Sequence, residues 1–163
     1  EDRLMFKYLW VVAVVGIADQ VTKYYALLHL RNAEIAVTPF LKFSLAFNTG
    51  AAFSFLSDAG GWQNLFFVVV ALVVSVIILF MIRRLGTNDT QVAVALMLVL
   101  GGAVGNVIDR MRFGYVVDFI DVYYRAWHWP TFNIADSAIT IGAVLLVLDA
   151  LGLTWRPKKC RVG

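Results

Sequence analysis

Four stretches of the chain are apolar for long enough to suggest helices in lipid, and the polar residues that interrupt them are few. Tyr8–Leu28 holds Asp19 and Lys23 as its charges. Leu65–Ile82 has no charge and only Ser75 as a polar residue. Val92–Ile108 is shorter and contains Gly101, Gly102 and Gly105, which would let another helix pack closely. Ala135–Trp155 has Asp136 at its start and Asp149 near its end. A helix needs about 20 mostly apolar residues to cross a bilayer. The pattern therefore predicts one domain over 1–163, an all-α membrane protein with four transmembrane helices.

Between these spans lie two outer segments, Leu30–Asn64 and Asp109–Ile134. The first contains EIAVTPFLKFSLAFNTGAAFSF and the second YVVDFIDVYY. Their β-branched and aromatic residues, with Pro39 and Gly50 as punctuation, predict short strands. Such strands must lie at or above the membrane interface, because an open sheet edge cannot sit in lipid. A small extracytoplasmic β element is thus added to the helical fold.

Composition agrees with the pattern. Hydrophobic residues make up 61% of the chain and charged residues 15%, too little charge to cover a soluble domain of this size. The basic residues set the direction. Arg3 and Lys7 precede the first span, Arg83 and Arg84 follow the second, and Arg156, Lys158, Lys159 and Arg161 follow the fourth. Lys and Arg accumulate on the cytoplasmic side, so both termini are expected there. No cleavable leader is expected, since the first apolar run is long, is charged within, and lacks a small-residue cleavage pattern. The single cysteine, Cys160, has no internal partner and no metal-ligand spacing around it.

With this orientation the ionisable and amide residues converge on the outer face: Asp19 and Lys23, Asn48 and Gly50, Asn106, Asp109 and Arg110, Asp118 and Asp121, Asn133 and Asp136. Charges at membrane depth are expensive and mark function by default, yet each has a plainer reading. Asp19 and Lys23 stand four apart with the acid first, the favourable order for a helical ion pair. Asp109–Arg110 would anchor a helix end at the headgroups. Asp149 reads as interfacial. Trp62, Trp127, Trp129 and Trp155 read as an aromatic belt, and His29 and His128 as isolated, solvated side chains.

Asp136 reads either as a simple helix N-cap, favoured by the helix dipole, or as one of two facing carboxylates. Two carboxylates ~3 Å apart repel by roughly 5 kcal/mol at an effective dielectric near 20, several pKa units. The pair then shares one proton and titrates together. One member can activate water while the other donates to a scissile carbonyl. Asp118 and Asp121 are both candidate partners. Their odd separation on a strand sends them to opposite faces, so one at most can serve, and Asp109 also remains open.

DQVTK (19–23), FNTGAAFS (47–54), GGAVGNVIDR (101–110), VVDFID (116–121) and FNIADS (132–137) resemble, in order and spacing, the motifs of the bacterial lipoprotein signal peptidases, the type II signal peptidases. The resemblance runs from the first span to the start of the fourth. It implies an aspartyl endopeptidase of the bacterial cytoplasmic (inner) membrane, with its site at the extracytoplasmic face. Such an enzyme removes the signal peptide of diacylglyceryl-modified prolipoproteins just before the lipidated cysteine. It also implies a catalytic dyad of Asp118 and Asp136. Asp19, Lys23, Asn48, Gly50, Asn106, Asp109, Arg110, Asn133 and Ala135 would then shape the pocket, orient the dyad, or bind substrate and peptide antibiotics such as globomycin. Membrane lipid is the expected surrounding, with no metal, cofactor or nucleic-acid partner, and the chain is expected to act as a monomer.

Two rival readings use the same residues. A small proton- or cation-coupled transporter component would also hold intramembrane carboxylates, but would more often show inverted repeats or interrupted midplane helices. A non-catalytic scaffold would use Asp136 as a cap and Asp19–Lys23 as a strut.

Overall fold

The computed structural model describes residues 3–50, 62–86 and 89–153 of the 163. Residues 51–54 of the second motif, Cys160, Trp155 and the C-terminal basic cluster lie outside the described residues. Among the described residues, four helices and four strands follow in the order α1 Arg3–His29, β1 Ile35–Thr38, β2 Leu41–Asn48, α2 Trp62–Arg83, α3 Thr90–Phe113, β3 Val116–Tyr124, β4 Trp127–His128 and α4 Ile134–Ala150.

Helix α3 is the centre of the bundle. It packs against α4, α1 and α2, and most extensively against α4. Its glycines explain why. A β-carbon on Gly101 would stand 2.9 Å from the β-carbon of Val15 on α1, and one on Gly142 of α4 would stand 2.6 Å from the Ala95 carbonyl of α3. Each glycine removes a side chain where two helix backbones meet. Around these contacts Tyr8, Val11, Val15, Ile78, Ile82, Leu96, Met97, Leu100 and Ala138 form the apolar core.

Helices α1, α2 and α3 are each long and apolar enough to cross a membrane. Only 11% of the apolar window of α2 is buried within the protein, so most of that helix turns its Val, Leu, Ile and Phe side chains outward. Helix α4 has 17 residues, a rise of ~25 Å, somewhat less than the ~30 Å hydrocarbon core. The third helix is longer than its apolar run suggests. It continues to Phe113 and ends where Gly114 takes a left-handed conformation (φ 79°) and donates its N–H to Arg110 O. Asp109 and Arg110 therefore belong to the helix, not to the outer segment assigned from hydropathy.

The expected strands form one antiparallel sheet in the order β1-β2-β3-β4. The register of β2 against β3 slips between Phe43 and Ala46, where a bulge places Ala46 opposite Asp118 and Asn48 opposite Val116. Phe119 roots the sheet on the C-terminal half of α1, in a small cluster with Ala26 and Leu30.

Candidate active site

At one end of the bundle the C-terminal half of α1, the last turns of α3, the start of β3 and the first turn of α4 meet. Asp19, Lys23, Asn106, Asp109, Asp118 and Asn133 are all buried there. Burying so many polar groups is tolerable only if they satisfy one another, and they do.

Lys23 is the hub. Its ammonium lies 2.8 Å from Asp19 and 2.9 Å from Asp109, and donates to Asn106 Oδ1 at 3.1 Å. The expected Asp19–Lys23 helical pair is present, with a second carboxylate added. Both acids also accept from further donors. Asp19 Oδ1 accepts the backbone N–H of Ala135 at 2.9 Å. Asp109 Oδ2 accepts that of Val117 at 3.0 Å, and Asp109 Oδ1 accepts from Gln20 Nε2 at 2.8 Å. Ala135 immediately precedes Asp136, and Val117 immediately precedes Asp118. The buried acids thus grip the backbone one residue ahead of each carboxylate on the open side of the network.

Asn133 joins those two carboxylates. Its Nδ2 donates to Asp118 Oδ1 at 2.7 Å, while its Oδ1 accepts the backbone N–H of Asp136 at 2.8 Å. Asn133 is the N-cap of α4, and the Asp136 side chain accepts from Asn133 N at 3.3 Å, completing a capping box. The cap is therefore Asn133, and Asp136 stands three residues into the motif, which corrects the reading of Asp136 as the cap itself. Asn106 Nδ2 donates to Asp136 Oδ1 at 2.8 Å. Burial, and next the charge of Asp136, raise the Asp118 carboxyl from 3.8 to about 6, while hydrogen bonds from Asn48 and Asn133 pull the other way.

The three acids of β3 and its approach have separate partners. Asp109 is committed to Lys23, Gln20 and Val117. Asp121 faces Lys42 at 3.6 Å and His128 Nδ1 at 2.9 Å. His128 is thus not isolated: it stacks on Tyr123 and holds β4 to β3 through Asp121. Of the three, Asp118 alone is tied to the residue that caps Asp136.

Arg110 and Gly50 sit at the edge of the site. The guanidinium lies over the Phe67 ring at 5.1 Å and close enough to act on Asp136, Asp118 and Asp109. Gly50 takes φ +85°, and a β-carbon there would collide with the same Phe67 ring. Its N–H donates to Asn48 Oδ1 at 2.9 Å, so the turn after β2 holds Asn48 beside Asp118. Gln20, Asn64 and Phe67 were not singled out by sequence. Asn64 donates to Arg110 O at 3.2 Å. The signal for Gln20 was its place inside DQVTK; Asn64 and Phe67 sit in an apolar run with no distinguishing pattern.

Among the described residues no cluster of three or more His, Cys, Asp or Glu has the arrangement to hold a metal ion. The amides, the two carboxylates and the nearby guanidinium suit water activation and stabilisation of charge on a peptide carbonyl.

Comparison with known proteins agrees with the motifs. Residues 11–152 match the family described as Signal peptidase (SPase) II. A lipoprotein signal peptidase of Acinetobacter baylyi is 54% identical over 152 residues, covering 93% of this chain and 84% of that one. One of Pseudomonas syringae is 48% identical over 145 residues, covering 87% and 84%. A solved structure titled as a bacterial membrane enzyme superposes with a TM-score of 0.80 at 33% identity, over 96% of this chain and 94% of that one.

Proposed function

The chain belongs to the signal peptidase II family, and from that membership we propose that it cleaves the signal peptide from diacylglyceryl-modified prolipoproteins, just before the lipidated cysteine. Asp118 and Asp136 are the catalytic dyad. The observation that carries this assignment is the bridge made by Asn133, one buried side chain that donates to Asp118 and caps the backbone of Asp136.

Asp118 holds the shared proton, consistent with a carboxyl raised to about 6 by burial and by the neighbouring charge. Asp136 takes a proton from the attacking water as general base, and Asp118 donates to the scissile carbonyl oxygen as it becomes tetrahedral. The C–N bond then breaks as the proton on Asp136 passes to the leaving nitrogen, and Asp118 takes a proton back from the tetrahedral hydroxyl, which leaves the carboxylic acid product and restores the dyad. Asn106 and Asn133 keep the two carboxylates oriented, and Arg110 supplies positive charge where the oxyanion develops. Asn48 bonds to Asp118 and lies on the strand that would receive the substrate backbone.

In this reading α4 is the fourth span, both termini are cytoplasmic, and the site faces the extracytoplasmic side of the bacterial cytoplasmic membrane. Lys7, Arg83 and Arg84 support it. They lie at the end of the bundle away from the polar network, where Tyr8 donates to Thr90 at 3.2 Å. The apolar core between that end and the site also weighs against a transporter, since a proton or cation relay needs ionisable groups across the whole depth. Purified protein incubated with a diacylglyceryl-modified prolipoprotein tests the activity. A free signal peptide and a product beginning at the lipidated cysteine are expected. An intact substrate after prolonged incubation with folded protein would contradict the reading.

A further inference from the structure

Asp136 borders a second space, on the flank of α4. A cleft of about 530 Å³ lies between the segment that follows β4 and the helix, walled by Trp129, Pro130 and Phe132 on one side and Ile141 on the other. That volume lies within the roughly 300–1,000 Å³ of ordinary ligand sites. Three hydroxyl side chains line it, those of Thr131, Ser137 and Thr140, and two of them are engaged with helix backbone: Ser137 Oγ donates to Asn133 O at 2.9 Å and Thr140 Oγ1 donates to Asp136 O at 2.8 Å. Below Ile141 the same side of α4 continues with Val144, about half exposed. The cleft therefore starts at a proposed catalytic carboxylate and runs out onto apolar helix surface.

Its chemistry selects among occupants. A peptide entering here would bury backbone N–H and C=O groups against Trp129, Pro130, Phe132 and Ile141, with too few partners to satisfy them, at a high desolvation cost. A hydrocarbon chain carries no such groups. The relatives are lipoprotein signal peptidases, so a substrate of this class brings a hydrocarbon chain with it. We propose that this cleft holds one acyl chain of the substrate's lipid, seated beside the scissile bond, and that Trp129, Phe132 and Ile141 are therefore determinants of lipid specificity. The proposal rests on the peptidase reading for its substrate and adds the location of the lipid.

Ile141 and Trp129 are exposed, at 54% and 55%, so substitutions there spare the core. In Ile141→Trp the indole fills the cleft. Cleavage by the full-length protein is compared on two prolipoproteins of one sequence, one carrying two long acyl chains and one carrying two short ones. The ratio of kcat/KM for the long-chain over the short-chain substrate is expected to fall about tenfold in Ile141→Trp and in Trp129→Ala, mainly through KM. An equal effect on both substrates, or none on either, would overturn the proposal. A second measurement does not depend on turnover. A long-chain prolipoprotein with a photoreactive group at its acyl terminus is expected to label residues 129–147 in the parent and to lose that labelling in Ile141→Trp. Labelling confined to other segments would overturn the cleft assignment. Labelling of 129–147 without any cleavage would leave the lipid site standing and remove the peptidase reading instead.

Discussion

The side-chain amide of Asn133 donates to the Asp118 carboxylate across 2.7 Å. The same amide caps α4 through its oxygen, so helix start and carboxylate geometry depend on one residue. Asn133→Ala removes both contacts. A lost N-cap costs ~1 kcal/mol of stability, and a lost hydrogen bond to an ionisable partner ~1.5–3 kcal/mol. Cleavage is expected to fall by roughly 10- to 100-fold in kcat with a modest drop in thermal stability. Unchanged kcat would show that Asn133 does not set the dyad.

The raised Asp118 carboxyl has a consequence for stability against pH. Its pKa in the fold, about 6, lies above the ordinary 3.8, so the fold favours the protonated form. That contribution, ~3 kcal/mol by linkage, is fully present below about pH 4 and is lost as pH rises through about 6. Asp118→Asn has no such proton to lose. Its thermal stability relative to the parent should therefore be greater at about pH 7 than at about pH 4. A difference that stays flat across this window would contradict the raised carboxyl.

Much of this was legible in the sequence, and what was missed has physical reasons. The apolar runs located the helices, because a lipid-facing surface is written in composition. The Gly101–Gly102–Gly105 cluster announced close packing, and Asp19–Lys23 announced its pair through helical spacing. The cap of α4 was legible as a polar helix start but was placed on Asp136, whereas Asn133 is the N-cap and Asp136 the third residue of its capping box. Gln20 stood inside DQVTK, but its contacts were not legible, because its partners Asp109 and Gly105 O are 89 and 85 positions away and no periodicity encodes such a contact. His128 is solvated as expected but was misread as isolated for the same reason, since its link to Asp121 exists only once β4 folds back on β3. Strand spacing left Asp109, Asp118 and Asp121 open and the motif resemblance alone pointed to Asp118, while the separate partners of each acid exist only in the tertiary structure.

Lys23 offers a test of the buried network. Lys23→Met leaves Asp19 and Asp109 buried without their shared counter-ion, a change worth ~3–5 kcal/mol. Thermal unfolding in detergent should show a large loss. Adding Asp19→Asn and Asp109→Asn to Lys23→Met should recover much of it, because the unpaired charges are then gone. Equal instability of the single and triple variants would count against the ion-pair account.

Gly105 tests the packing. A β-carbon there would stand 2.6 Å from Asp19 Oδ2 and 3.3 Å from the Ala135 side chain. Gly105→Ala must push α3 away from both, and overpacking of this kind costs ~1–3 kcal/mol. Because Asp19 holds Ala135 N–H, activity should fall further than stability alone explains. Wild-type activity and melting temperature together would contradict the close approach.

The central claim is the identity of the dyad, and four substitutions assayed side by side on a diacylglyceryl-modified prolipoprotein test it most directly. Asp118→Asn and Asp136→Asn keep shape and remove the acid; both are expected to fold and to lose cleavage by at least about a thousandfold. Asp121→Asn, whose carboxylate pairs with Lys42 and His128, is expected to keep most of the parent's activity. Asp109→Asn should lose stability through its ties to Lys23 and Val117 but retain measurable turnover. Full activity in Asp118→Asn or Asp136→Asn, or its abolition in a folded Asp121→Asn, would contradict the account.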